Sequence, residues 1–223
     1  MYDFIRGPMV WISLLVFVLG SIYQIIRFIQ MSRQTQLQNN NPAIVEKPNP
    51  YEKTSRGIIL YTIAKLRQTI LGASPVTVVV TTIFHFCLII TPIFLLGHNE
   101  LMDVSVGFGL GSFAENTTDI LTIIFLACAL YFLLRRIFYA RVRAITSFYD
   151  YLILCLSVAP FLTGFLAYHQ IFDYKTIMVM HIVSGELMLI CIPFTKLVHM
   201  IFFFINRIFL VSEYSLGTGN RTW

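Results

Sequence analysis

Five stretches of this 223-residue sequence stay apolar for long enough to cross a bilayer. The hydrocarbon core takes about 20 helical residues at a rise of about 1.5 Å each. The runs fall at about 9–29, 76–97, 120–137, 151–168 and 176–205. The last is the longest, and is either tilted or continues beyond the membrane. Composition agrees, with 57% of residues hydrophobic and only 12% charged, about half the charged share of a soluble domain. A chain of this size cannot bury so much apolar surface in water, so its solvent is lipid. The first run is too long for a cleavable signal and no small-residue cleavage site follows it. No internal repeat and no separate soluble domain stand out. The expected fold is all-α, an integral membrane five-helix bundle forming one domain over 1–223.

The polar linker 30–72 joins the first two runs. Its first part, 30–56, holds the tract Gln38-Asn39-Asn40-Asn41-Pro42 and prolines at 42, 48 and 50, which is loop chemistry. In 57–72, apolar Ile58, Ile59, Tyr61, Ile63, Leu66 and Ile70 interleave with Lys65 and Arg67. This reads as an amphipathic helix on the membrane surface before the second span, or as an extension of that span. Arg33, Lys47, Lys53, Arg56, Lys65 and Arg67 make the linker basic, as do Arg135, Arg136, Arg141 and Arg143 after the third run and Arg207 and Arg221 in the tail. Loop 98–119 has no Lys or Arg but carries Glu100, Asp103, Glu115 and Asp119. The positive-inside rule then puts the linker, the 138–149 loop and the C-terminus in the cytoplasm and the N-terminus outside. The net charge of +5 is thus a topology signal, and no nucleic-acid partner is expected.

Cys87, Cys128, Cys155 and Cys191 all lie in apolar runs with no Cys-x-x-Cys spacing. Covalent haem c, thiolate iron–sulfur clusters and zinc knuckles lack their ligands, and the thiols read as small hydrophobes packed between helices.

The histidines carry more. There are five, His85, His98, His169, His181 and His199. Imidazole inside a membrane is costly, usually faces the bundle interior, and is the usual axial ligand of non-covalent haem. His181 and His199 stand eighteen residues apart in the fifth run. On an ideal helix that is five whole turns and about 27 Å, so both rings would share a face, one near each membrane surface. By topology His85 and His199 fall in the inner half, His98 and His181 in the outer half. Two bis-histidine haems follow, with His85 and His199 on the inner iron and His98 and His181 on the outer. His85 and His98 are thirteen residues apart, about 220° around an ideal helix. Either Pro92 distorts the helix between them or His98 lies past its end. His169 competes as an outer ligand or a quinone contact. For each histidine a hydrogen-bonded structural role is the alternative.

Here the sequence resembles a known family. Pro193-Phe194-Thr195-Lys196-Leu197-Val198-His199 resembles the signature of respiratory nitrate reductase gamma subunits and related membrane cytochromes b. There the final His is a haem ligand and a second lies eighteen residues upstream, the place of His181. Phe84-His85 and Gly97-His98 resemble the two ligand positions of the second span, at a longer spacing than usual. The segment from Asp150-Tyr151 to Tyr168-His169-Gln170 is similar to cytochrome b subunits of sulfate-reducer transmembrane redox complexes. The resemblance implies a diheme b-type cytochrome in the cytoplasmic membrane of a prokaryote, in anaerobic respiration, exchanging electrons with menaquinone. It implies a cytoplasmic iron–sulfur partner resembling heterodisulfide reductase and a periplasmic multihaem cytochrome c. It places the quinone beside the outer haem, near Gly97, His98 and His169.

With no self-contained soluble active site, the chain's own part is to hold the haems, set their potentials and shape a quinone pocket. Arg67, Arg135 and Lys196 on the inner side and Lys175 on the outer side are the candidate propionate contacts, with ordinary interfacial anchoring as the alternative. Glu186 is the candidate proton or quinone residue. Two rival functions are a haem-free membrane anchor and a small proton-linked transporter, although transporters of that kind usually show repeats and broken helices.

Overall fold

The computed structural model describes residues 2–38 and 74–202. Every regular element in them is helical. Helix α1 (Val10–Gln38) follows a short turn and a π-helical stretch at Ile5–Met9. Then come α2 (Pro75–Phe94), α3 (Leu96–Val106), α4 (Glu115–Phe138), α5 (Phe148–Tyr168) and α6 (Tyr174–Cys191). Five segments are long and apolar enough to cross a membrane: Ile5–Met31, Pro75–Phe94, Glu115–Phe138, Phe148–Tyr168 and Tyr174–Phe194. The chain is a multi-pass membrane protein.

Several boundaries differ from the sequence reading. Residues 30–38, read as loop, continue α1, because helical backbone pairs all its own polar groups whatever side chains it carries. Loop 98–119 contains most of α3. The expected surface helix at 57–72 and the tail 207–223 lie outside the described residues.

The described residues divide into two compact units, one holding 74–174 and the other 2–38 with 175–202. In the first, Ser74 precedes Pro75, whose missing N–H costs nothing at the opening of α2. Its core is an aromatic stack with one ring per span. Phe84 of α2 lies 4.6 Å from Phe125 of α4, and Phe125 lies 3.9 Å from Phe161 of α5. Phe132 meets Phe84 edge-on at 5.3 Å, and Cys87, Cys128 and Ala129 fill the gaps. In lipid, apolar burial drives little, so ring packing and close helix approach hold such spans together. Cys87 and Cys128 are the small packing residues expected, whereas Cys155 is exposed. Buried hydroxyls bond their own helices: Thr122 donates to the Thr118 carbonyl at 2.8 Å and Ser157 to that of Ile153 at 2.9 Å.

The second span stops at Leu95, whose backbone is extended (φ −71°, ψ 129°). A new helix starts at Leu96 and ends at Gly107, whose positive φ of 74° lets its N–H reach the Asp103 carbonyl. Carbonyls stripped of helical partners at the break are taken up locally. Asn99 Nδ2 donates to the Ile93 and Leu95 carbonyls at 2.7 and 3.1 Å, and the Phe113 N–H donates to that of Phe94 at 3.0 Å.

In the other unit the fifth span breaks too. α6 ends at Cys191, a 3-10 turn covers Ile192–Phe194, Thr195 is extended (φ −122°, ψ −174°), and a second 3-10 turn covers Lys196–Val198. Helix resumes at 199–202. The run 176–205 is therefore not one continuous helix: Pro193 has no N–H and its ring displaces the carbonyl one turn back. Helix α1 closes on this break. Gln24 Nε2 donates to the Pro193 carbonyl at 2.6 Å, and Gly20 lies so close that a Cβ there would sit 2.7 Å from Pro193 Cγ. On the same face of α1, Ser13 is fully buried and donates to the Val10 carbonyl at 2.8 Å. Ile12, Leu15, Leu19, Ile22 and Ile26 are exposed.

Gly20→Ala tests this contact. The proline ring cannot rotate away, so overpacking should destabilise the protein by about 1–3 kcal/mol, read as a lower thermal midpoint in detergent. An unchanged midpoint would mean that α1 does not need this close approach.

Candidate functional site

Three of the five histidines share one local device. His85, in α2, places Nδ1 2.7 Å from the Thr81 carbonyl one turn back. His98, in α3, places Nδ1 2.9 Å from the Pro92 carbonyl, freed by the break at Leu95. His199, after the break in the fifth span, places Nδ1 2.6 Å from the Lys196 carbonyl. A carbonyl only accepts, so in each ring Nδ1 carries the proton and a neutral imidazole has its lone pair on Nε2. Metal-bound histidines are oriented this way, their second nitrogen donating to a carbonyl or carboxylate.

His98 is thus past the end of the second span, and the phase angle of an ideal helix from His85 does not apply. The same physics undoes the argument that His181 and His199 share a helix face, because Thr195 interrupts the helix between them. His181 is half-buried in α6, and the Ser184 hydroxyl donates to its carbonyl at 2.9 Å.

His169 is different. It caps the C-terminal end of α5, and its Nε2 lies 3.0 Å from Asp119 Oδ1 on α4. Beside it the Tyr168 hydroxyl donates to Glu115 Oε2 at 3.2 Å. These contacts clamp α4 to α5, and on this ring they engage Nε2.

Glu186, near the middle of the fifth span, is only 3% exposed, and neither carboxylate oxygen has a hydrogen-bond partner. Buried acids normally pair or bond, because an ionised carboxylate in low dielectric costs several kcal/mol. Among the candidate cations, Arg135 is half-buried, Lys175 and Lys196 are exposed, and Arg67 lies outside the described residues. A Cβ at Gly97 would meet nothing within 4 Å, so packing does not require glycine there.

Among the described residues no three His, Cys, Asp or Glu side chains cluster as a metal site. The donor set is single oriented imidazoles, which suits a metal that brings its other ligands with it. Sequence reasoning missed Gln24 and Asn99, which rebuild the breaks, and Asp119, which engages His169. Gln24 did leave a signal: an amide inside an apolar run, on one helical face with Ser13 and Gly20.

No family model matches the sequence. A protein of Nitratidesulfovibrio vulgaris (strain Hildenborough) is 34% identical over 224 residues, which cover 100% of this chain and 97% of that protein.

The His169–Asp119 pair is open to solvent, with side chains 37% and 22% exposed. A double-mutant cycle with His169→Ala and Asp119→Ala should give a coupling of about 0–1 kcal/mol in unfolding measurements. A coupling of several kcal/mol would assign the pair more than a clamp's work.

Proposed function

The chain belongs to the same family as this Nitratidesulfovibrio vulgaris protein, and we propose that it is a diheme b-type cytochrome, the membrane subunit of a respiratory complex. It would exchange electrons between menaquinone or menaquinol and an iron–sulfur partner. The observation that carries the reading is the shared device at His85, inside the second span, and at His98 and His199, just past the ends of the second and fifth, three imidazoles whose Nδ1 protons are held by backbone carbonyls. The likeness of Pro193–His199 to the nitrate reductase gamma signature adds to it.

The donor set fits haem b, which needs one or two axial imidazoles and no cysteine. We assign His85 and His199 to the inner haem and His98 and His181 to the outer, as the topology of the basic loops implies. His169, with its Nε2 on Asp119, is left as a clamp or quinone contact. When bound, haem supplies one-electron transfer at a potential set by its ligands and burial. The chain's residues do the rest. The carbonyls of Thr81, Pro92 and Lys196 fix the rings. Arg67, Arg135, Lys175 and Lys196 are the candidate propionate contacts. Glu186 takes or gives protons as the quinone is oxidised or reduced. The partners in this reading are a cytoplasmic iron–sulfur subunit resembling heterodisulfide reductase and a periplasmic multihaem cytochrome c. The membrane is the cytoplasmic membrane of a prokaryote, with the N-terminus outside and the C-terminus in the cytoplasm. A proton-linked transporter is the second reading, favoured by the unpartnered carboxylate of Glu186.

A reduced-minus-oxidised spectrum with a pyridine haemochrome assay separates the two. The expected result is a b-type signal at about two haems per chain, with His→Ala at 85, 98, 181 or 199 each losing one and His169→Ala keeping both. Folded protein made with haem available yet colourless would leave the transporter or a haem-free anchor. Glu186→Gln should keep both haems and slow quinol oxidation by the assembled complex about a hundredfold. An unchanged rate would remove Glu186 from the proton path.

A further inference from the structure

Where α2 begins, α4 ends and α5 begins, the unit holding 74–174 has a pocket of about 340 Å³ lined by Thr77, Thr81, Arg135, Arg136, Ile145 and Asp150, among others. Arg135 and Arg136 are both half-buried in the last turn of α4, while Arg141 and Arg143 just beyond are exposed. Neither pocket arginine has a carboxylate within ion-pair distance among the described residues. The pocket's acid, Asp150, uses Oδ2 to accept from the backbone N–H and the hydroxyl of Ser147, each at 2.8 Å, closing the cap of α5. The C-terminal dipole of α4 offers about half a negative charge, too little for two guanidiniums. The pocket is therefore net positive and partly desolvated, and a half-buried charge without a counter-charge is costly.

Its rim is apolar. Ile145 in the pocket wall is 83% exposed, and Phe138, the last residue of α4, and Phe148, the first of α5, are 75% and 76% exposed. Thr77 and Tyr131 hydroxyls lie 3.3 Å apart, and since one proton serves that contact, the other hydroxyl can donate outward. Interfacial anchors alone would extend their guanidiniums toward water, and of the neighbouring arginines Arg141 and Arg143 are exposed. Paired guanidiniums facing a pocket, with hydroxyls at hand and bare apolar side chains at its edge, suit a phosphate on acyl chains.

We propose that this pocket binds the headgroup of an anionic phospholipid, its phosphate on Arg135 and Arg136 and its chains along Ile145, Phe138 and Phe148. A soluble phosphate would leave that rim bare. The inference takes Arg135 from the candidate propionate contacts and gives it to lipid; it does not rest on haem, and a colourless preparation would leave it standing.

The test is native mass spectrometry of the full chain in detergent, titrated with phosphatidylglycerol or phosphatidylcholine. The wild type should retain phosphatidylglycerol about tenfold to thirtyfold more tightly. Arg135→Gln with Arg136→Gln should remove the preference, Arg136→Gln alone should weaken it, and Arg141→Gln with Arg143→Gln should keep it. Equal retention of the two lipids by the wild type, or an undiminished preference in the double variant, would overturn the proposal. So would a double variant that loses haem in the haemochrome assay while holding phosphatidylglycerol as before, which would give the pocket to haem propionates.

Discussion

In hydrocarbon no backbone N–H or C=O can turn to water, and each one left unpaired costs several kcal/mol. An unbroken helix meets that demand by itself; a broken one has to borrow. Two of the five spans break, at Leu95 and at Pro193–Thr195, and the rest of the polar architecture follows from how those breaks are repaired. Asn99, His98 and the Phe113 amide serve the first. Gln24 serves the second from a different helix. Gly20 has no side chain because α1 must come close enough for that amide to reach.

The repairs do more than hold the fold. A ring nitrogen that donates to a freed carbonyl is fixed in tautomer and in angle, and His98 acquires its orientation from the break itself. His199 gains the same through the Lys196 carbonyl in the turn that restarts the helix. His85, within regular helix, leans on the Thr81 carbonyl, which already accepts a helical bond and has a second lone pair to offer. Proline is tolerated in these spans because neighbouring side chains absorb its cost. The residues around it are then held in geometries that an ideal helix does not offer.

This also marks where the sequence stopped being legible. Spans are a matter of composition over about 20 residues, so their number and rough positions can be read directly. Their ends cannot: α1 runs on through Gln30–Gln38 because helix persists in polar sequence, and α3 hides in a stretch with little apolar periodicity. Arguments from helical phase failed wherever a break intervened. The angle between His85 and His98 raised a difficulty that the break at Leu95 removes, and the shared face of His181 and His199 assumed a helix that Thr195 interrupts. The partners of Gln24 and Asn99 are carbonyls, which every residue has, and only a fold says which ones are freed.

Once the internal repairs are counted, the polar groups that remain are informative. Buried Thr118, Thr122, Ser157 and Thr163 each donate to a carbonyl of their own helix, and they need no ligand to explain them. Ser21 and Thr91 keep buried hydroxyl oxygens without a partner, a cost of about 1–3 kcal/mol each that a folded protein can carry. Glu186 is of another order, because a membrane tolerates a carboxyl in its core only when it is neutral or when something outside the chain completes it. Arg135 and Arg136 pose the same demand with the opposite sign at the membrane edge. In a molecule where lipid enforces pairing so strictly, groups that the chain itself does not pair are the ones most economically explained by a proton, a cofactor or a lipid supplied from elsewhere.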